Sequence, residues 1–321
     1  MLLNLWDNSE LALKFMELYN VVGIQMCNIL KRLHLDAEQD NIEIFCEETG
    51  IKLDKIAVTH DVELLGKIIS TTTDNFTYLR QTGLVSLDIL LENNSPISQH
   101  LKKYQIEIKP STHELFYKGK RFNIPSYGEE CECCVYGDMQ CKFSHKRYKD
   151  MYCSYLKAIR PLAIKLYSDN SEIEMFLSAP KEDMLEYSTV KRYPEIFVTV
   201  TNFVKDFFGK QLSIGAEWEK IKQNSHIINI PVKYDHMSYR SNYIDSNNGK
   251  DANNILSRYG HLCAETYDCI EQVPKCFWDN IWLITVCLDL IREFGETRES
   301  IYAGIKHDVH IPYDNLHIEL I

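Results

Sequence analysis

The stretch "FWDNIWLITVCLDLIREFG", residues 277–295, decides the fold class. It is too long for an ordinary strand and apolar nearly all round, so it reads as a buried helix, with Gly295 as its C-terminal cap. Its expected polar exceptions are Asp279, Asn280, Asp289 and the Arg292–Glu293 end. A helix without a polar face needs cover from the rest of the chain. Runs rich in β-branched and aromatic residues supply sheet: "QIEIKPSTHELFYKGKRFNI" at 105–124, turning at Lys118-Gly119, "HIINIPVKYDHM" at 226–237, and the closing "DVHIPYDNLHIELI". The expected class is α+β, mostly helical with short mixed or antiparallel sheets.

Working outward, residues 8–34 read as one long amphipathic helix capped by Asn8 or Ser9, with Leu11, Phe15, Leu18, Val22, Met26, Ile29 and Leu33 at helical spacing. "IEIFCEE" and "KIAVTH" read as short strands. A series of short helices is expected over 63–104, punctuated by Gly83 and by "NNSP", where Ser95 caps a helix opening on Pro96. Residues 147–208 read as mostly helical. Three regions follow from these shifts: an N-terminal α+β region at 1–125, a cysteine-rich basic segment at 126–165, and a C-terminal α+β region at 166–321.

The chain has 321 residues, 45% hydrophobic and 25% charged, enough to bury a sizeable core. A net charge of -11 argues against general polyanion binding. No stretch is apolar and long enough to suggest a membrane span, and the N-terminus lacks the pattern of a signal peptide. Eleven cysteines, an odd number in a large chain, do not form the dense framework of a small secreted domain. The expectation is a cytoplasmic protein with mostly reduced thiols and no membrane association.

"CECCVYGDMQCKFSHKRYKDMYC", residues 131–153, concentrates six candidate zinc ligands: Cys131, Cys133, Cys134, Cys141, His145 and Cys153. Thiolates with one imidazole are the donor set of a structural tetrahedral zinc. Against it, the spacing is C-x-C-C and C-x3-H rather than paired C-x2-C, and core packing of these cysteines is the other reading. Lys142, Lys146, Arg147, Lys149, Lys157 and Arg160 stand among Tyr148, Tyr152 and Tyr155. They are either a solvated helix face or a small phosphate-contacting patch through which nucleic acid would bind.

No Gly-rich phosphate loop, H-E-x-x-H or G-x-S-x-G is present. One segment does carry a resemblance. "STTTDNFTYLRQTGLVS" at 70–86 places Thr71, Asp74-Asn75-Phe76, Leu79 and Gly83-Leu84 in a pattern that resembles the N-terminal part of DarT-type ADP-ribosyltransferases. The end of the chain, "KHDVHIPYDNLHIELI" at 306–321, is similar to that family's last strands. The resemblance implies NAD as cofactor, with Thr71, Asn75 and His60 at the cofactor and His307 and Asp308 where the family has its catalytic glutamate. The family's histidine position holds Ile69, with His60 nearby. Read without the resemblance, 71–84 is a capped short helix closed by glycine. The Ile, Asn and Lys content also resembles proteins carried by phages and prophages.

Two function classes stay open. One is an NAD-using transferase acting in defence or counter-defence. The other is a non-catalytic, oligomeric protein that engages and inhibits a host protein, for which nineteen Tyr and four Trp offer interface anchors.

Overall fold

A computed structural model describes residues 1–35, 41–56, 61–70, 74–125, 154–167, 173–187, 189, 192–221, 225–240, 259–262, 272–292, 300–306 and 308–320. Eleven helices and two sheets, of seven and three strands, are found among them. The helices are α1 (Asn8–Leu18), α2 (Gly23–Leu35), α3 (Asn41–Thr49), α4 (Asp74–Thr82), α5 (Leu87–Glu92), α6 (Pro96–Lys103), α7 (Ser154–Tyr167), α8 (Lys181–Glu186), α9 (Glu195–Phe208), α10 (Ile214–Ile221) and α11 (Lys275–Arg292). The strands are β1 (Leu2–Leu3), β2 (Glu63–Ser70), β3 (Ile106–Lys109), β4 (Glu114–Tyr117), β5 (Lys120–Asn123), β6 (Ile173–Ser178), β7 (His226–Lys233), β8 (Met237–Arg240), β9 (Ile301–Ile305) and β10 (His317–Leu320). The expected α+β class holds.

The large sheet runs in the order β10-β7-β2-β6-β9-β8, with β1 beside β2. Strand β10 pairs antiparallel to β7 with Ile318 opposite Ile228, β2 antiparallel to β6, and β1 parallel to β2. The small sheet is the antiparallel meander β3-β4-β5. Its second turn is the one expected at Lys118-Gly119, where both residues have positive φ, 51° and 76°. That pair of left-handed conformations is what a tight two-residue hairpin requires.

The chain forms two compact units. The first comprises Met1–Lys67, Met175–Lys181 and Ile230–Ala303; the second comprises Ile68–Glu174, Glu182–Asn229 and Gly304–Ile321.

In the first unit the core is built round α11, which buries thirteen of its eighteen residues. Helices α1 and α3 pack on it. Phe15, Tyr19 and Phe45 form an aromatic triangle with ring centroids 5.1–5.6 Å apart. The expectation that Asp279 and Asn280 mark a polar edge is corrected: they are 1% and 0% exposed. Asp279 is paired with Lys275 at 2.6 Å. The Asn280 amide nitrogen lies 2.7–2.8 Å from the carbonyls of Leu53, Ile56 and Cys276, and its Oδ1 accepts from the Tyr19 hydroxyl at 3.1 Å. A buried amide with all these partners holds the 53–56 loop against the helix instead of facing water.

Four local readings also change. The single helix expected over 8–34 is two, because Asn20 takes φ 51° between α1 and α2. Asparagine tolerates this conformation better than other non-glycine residues, and the adjacent Val21-Val22 favours extended backbone. The cap of α1 is Asp7, whose carboxylate accepts from the Ser9 and Glu10 amides at 3.0 Å. "IEIFCEE" is helix α3, not a strand. Its period-two look spans too few residues to decide, and packing on α11 with Arg32 paired to Glu47 and Glu48 selects the helix. Strand β2, conversely, was expected as helix; a sheet neighbour on each side overrides local propensity.

The second unit has its own core. Helix α7 packs on α9, α5 and α6 pack on β3, and Ile159, Leu162, Phe122, Phe197, Phe203 and Trp218 are among its buried side chains. Ser95 caps α6 as expected, accepting from the Ser98 amide at 3.1 Å.

Candidate functional site

The second unit brings together the two segments on which the family resemblance rests. Helix α4 ends at Gly83, whose amide donates to the Leu79 carbonyl at 2.8 Å and whose φ is +68°. The next residue forms an isolated antiparallel bridge with the closing segment. The Leu84 amide donates to the Ile311 carbonyl at 2.8 Å, and the Ile311 amide donates back at 3.4 Å. A β-carbon at position 83 would stand 2.4 Å from the Ile311 carbonyl oxygen and 2.7 Å from His310 Nε2. Only glycine therefore satisfies both the left-handed turn and the close approach. His310 Nε2 lies against the Thr82 carbonyl, and Arg80 Nε donates to the Tyr313 hydroxyl at 3.4 Å with the guanidinium 5.8 Å from the ring.

The expected site residues are distributed unevenly about this junction. Asn75 is in the first turn of α4. Asp308 is exposed, next to a turn in which the Val309 amide donates to Lys306 at 3.0 Å. Thr71, His60 and His307 lie outside the described residues, as do all six proposed zinc ligands, Cys131, Cys133, Cys134, Cys141, His145 and Cys153. Among the described residues no cluster of His, Cys, Asp and Glu has a metal-holding arrangement, and Cys27, Cys46, Cys276 and Cys287 form no disulfide. Burial pushes the Cys287 thiol well up, which disfavours the nucleophilic thiolate.

Of the basic patch, Lys142, Lys146, Arg147 and Lys149 are outside the described residues. Tyr155, which was expected to interleave with it, faces inward: its hydroxyl donates to the Asn123 carbonyl and its ring meets Phe207 at 5.4 Å. It offers no stacking platform for a base.

Sequence reasoning missed a cleft of about 440 Å³ whose walls come from α4, α6 and α10. Tyr78 and Gln81 face it from α4, His100 and Lys103 from α6, Trp218 and Ile221 from α10. His100 is 3% exposed and Trp218 2%. Their rings pack at 5.1 Å, nearly perpendicular, with Phe197 at 5.3 Å from His100. His100 Nε2 is 3.0 Å from the Ile214 carbonyl, which fixes that nitrogen as the donor and leaves Nδ1 as an acceptor. Burial, with Lys103 adding to it, lowers the His100 pKa, so the ring is neutral at neutral pH. Neither His100 Nδ1 nor Trp218 Nε1 has a hydrogen-bond partner among the described residues. The residues come from three separate segments, so no local pattern announces the cleft; the nearest signal is a histidine on the apolar face of an otherwise polar helix.

No family model, curated protein or solved structure matches the chain.

Proposed function

We propose that the protein is an NAD-binding, ADP-ribosyltransferase-like protein of the kind mobile elements carry in defence or counter-defence, with NAD held in the second unit. The observation that carries this reading is the Leu84–Ile311 bridge, which joins two segments separated by more than two hundred residues, both of which carry the resemblance. In this reading Thr71 and Asn75, with His60 near them, are polar contacts to the nicotinamide end. Asp308 and His307 are the polar groups opposite, and NAD supplies the ADP-ribosyl group. Asp308 is one methylene shorter than the glutamate it would replace, so its reach to a ribose hydroxyl depends on the backbone that Gly83 and Ile311 hold in place.

The test is thermal. NAD at about a hundred times its dissociation constant stabilises a folded binder by ~2.7 kcal/mol. Asn75→Ala removes most of that protection while leaving the unliganded melting temperature within a few degrees.

A structural zinc at 131–153 belongs to the same proposal. Elemental analysis of purified protein is expected to find about one zinc per chain, on the tetrahedral Cys/His donor set. Well under half an equivalent removes the zinc.

The second reading, a homo-oligomeric binder of a host protein, is favoured by one observation. Leu13, Val22 and Ile24 in the α1–α2 region of the first unit are 69%, 55% and 68% exposed. That is unusual for large apolar side chains lying so close in sequence. On this reading NAD leaves the melting curve flat and Ile24→Asp dissociates the oligomer.

A further inference from the structure

We propose that the cleft between α4, α6 and α10 takes the adenosine-phosphate half of the bound NAD, through Trp218 Nε1 and His100 Nδ1 on the heterocycle and Lys103 on phosphate. The inference rests on the NAD reading and names the part of the molecule that reading left unassigned.

The argument begins with two polar atoms that lack partners. A buried donor or acceptor without a hydrogen bond costs about 1–3 kcal/mol, so a folded protein rarely keeps two side by side without a use. Here one is a donor and the other an acceptor. Trp218 offers an N–H, and His100, with its Nε2 committed to Ile214, offers a lone pair on Nδ1. On rings packed 5.1 Å apart, this donor and acceptor would complement a ligand edge that carries an acceptor beside a donor, as the ring nitrogen and exocyclic amine of adenine do. A carboxylate or a simple cation satisfies only one of the two.

The rest of the lining agrees with such a ligand. Among the described residues Lys103 is the charged one that faces the cleft, and no carboxylate faces it with Lys103. Glu217, the nearby acid on α10, is paired with Lys220 at 2.7 Å. One cation over an otherwise neutral, amide- and aromatic-lined cleft suits a heterocycle bearing phosphate. Burial keeps the Tyr78 phenol protonated, so it remains a donor at the wall. Both unpartnered atoms are shut from water in this conformation. Reaching them requires exposed lining side chains, Lys103 and the 52% exposed Ile221 among them, to move aside.

The cleft shares helix α4 with the proposed nicotinamide contact Asn75. Tyr78 and Gln81 face it from α4, and one residue further on the same helix reaches Thr82 and Gly83, the junction with the closing segment. Helix α4 thus carries both halves of the assignment.

The experiment uses the full-length protein, with AMP and NAD as probes. The readouts are the indole N–H resonance of Trp218, assigned by its loss in Trp218→Phe, and affinity by calorimetry. AMP is expected to shift that resonance saturably. Trp218→Phe, which keeps the ring and deletes the N–H, and Lys103→Gln are each expected to weaken AMP and NAD by about tenfold, the size of one lost charged or buried hydrogen bond. Asn75→Ala is expected to weaken NAD and leave AMP unchanged. If NAD affinity falls in Asn75→Ala but is untouched by Trp218→Phe and Lys103→Gln, the cleft assignment is overturned and the NAD reading stands. AMP binding without any NAD binding overturns both. No shift of the Trp218 resonance at millimolar AMP overturns the assignment, whichever variants fold.

Discussion

Helix α11 and helix α4 obey the same rules of helix formation and end up in opposite circumstances. Helix α11 is enclosed, with Phe277, Leu283 and Cys287 at 0% exposure and even Asp279 and Asn280 drawn inside. Helix α4 is short, keeps Arg80 and Gln81 exposed, and is defined by what happens at its end, where Gly83 lets the closing segment come within hydrogen-bonding distance. The first helix stabilises its unit by burial. The second positions a backbone junction and one wall of a cleft. The contrast teaches that in this chain the conspicuous apolar motif marks the scaffold, while candidate chemistry gathers at modest elements fixed by a single glycine.

The largest expected effect tests the scaffold half. Leu283→Ala is expected to cost roughly 2–5 kcal/mol, the range for emptying a buried leucine site, measured by urea unfolding of the first unit. An unchanged midpoint would mean that α11 is not core, and the contrast with α4 would collapse.

Gly83→Ala is the matching test on the other side. It forces a β-carbon into a left-handed position and against the Ile311 carbonyl, so a cost of about 1–3 kcal/mol is expected. It is also expected to impair NAD binding, because the junction must open. Leu283→Ala should leave ligand affinity of the surviving folded protein unchanged. Equal effects of both variants on affinity would erase the distinction between scaffold and site.

A smaller effect concerns His100. Its folded pKa lies below the ordinary 6.5, so the unfolded chain binds a proton that the folded chain does not. Stability from this group is full above the unfolded pKa and falls as pH drops below it. As pH falls from ~7 through the unfolded pKa, the protein is expected to lose stability through His100. His100→Gln should flatten that part of the pH profile, and an unaltered slope would show that the ring is charged or exposed.

Particular residues explain what was legible in the sequence. The apolar run at 277–292 was readable because burial on all sides leaves no polar face to confuse the period. The hairpin at Lys118-Gly119 and the caps at Ser95 and Gly83 were readable because turn and cap chemistry is local. Strand β2 and helix α3 were exchanged because each is short, and tertiary neighbours, not propensity, choose between helix and strand at that length. Asp279 and Asn280 misled because a carboxylate and an amide look like surface until their partners, Lys275 and the 53–56 carbonyls, are known. Of the site, the meeting of 70–86 with 306–321 was suggested by resemblance alone. The cleft with His100 and Trp218 was not suggested at all, since its walls are joined only by folding.

The most direct measurement of the central claim is the melting temperature of wild type and Asn75→Ala across a series of NAD concentrations. The account predicts a saturable rise in wild type, approaching ~2.7 kcal/mol of stabilisation at about a hundred times the dissociation constant, and a rise that is largely lost in Asn75→Ala. A wild-type curve that stays flat to millimolar NAD would contradict it.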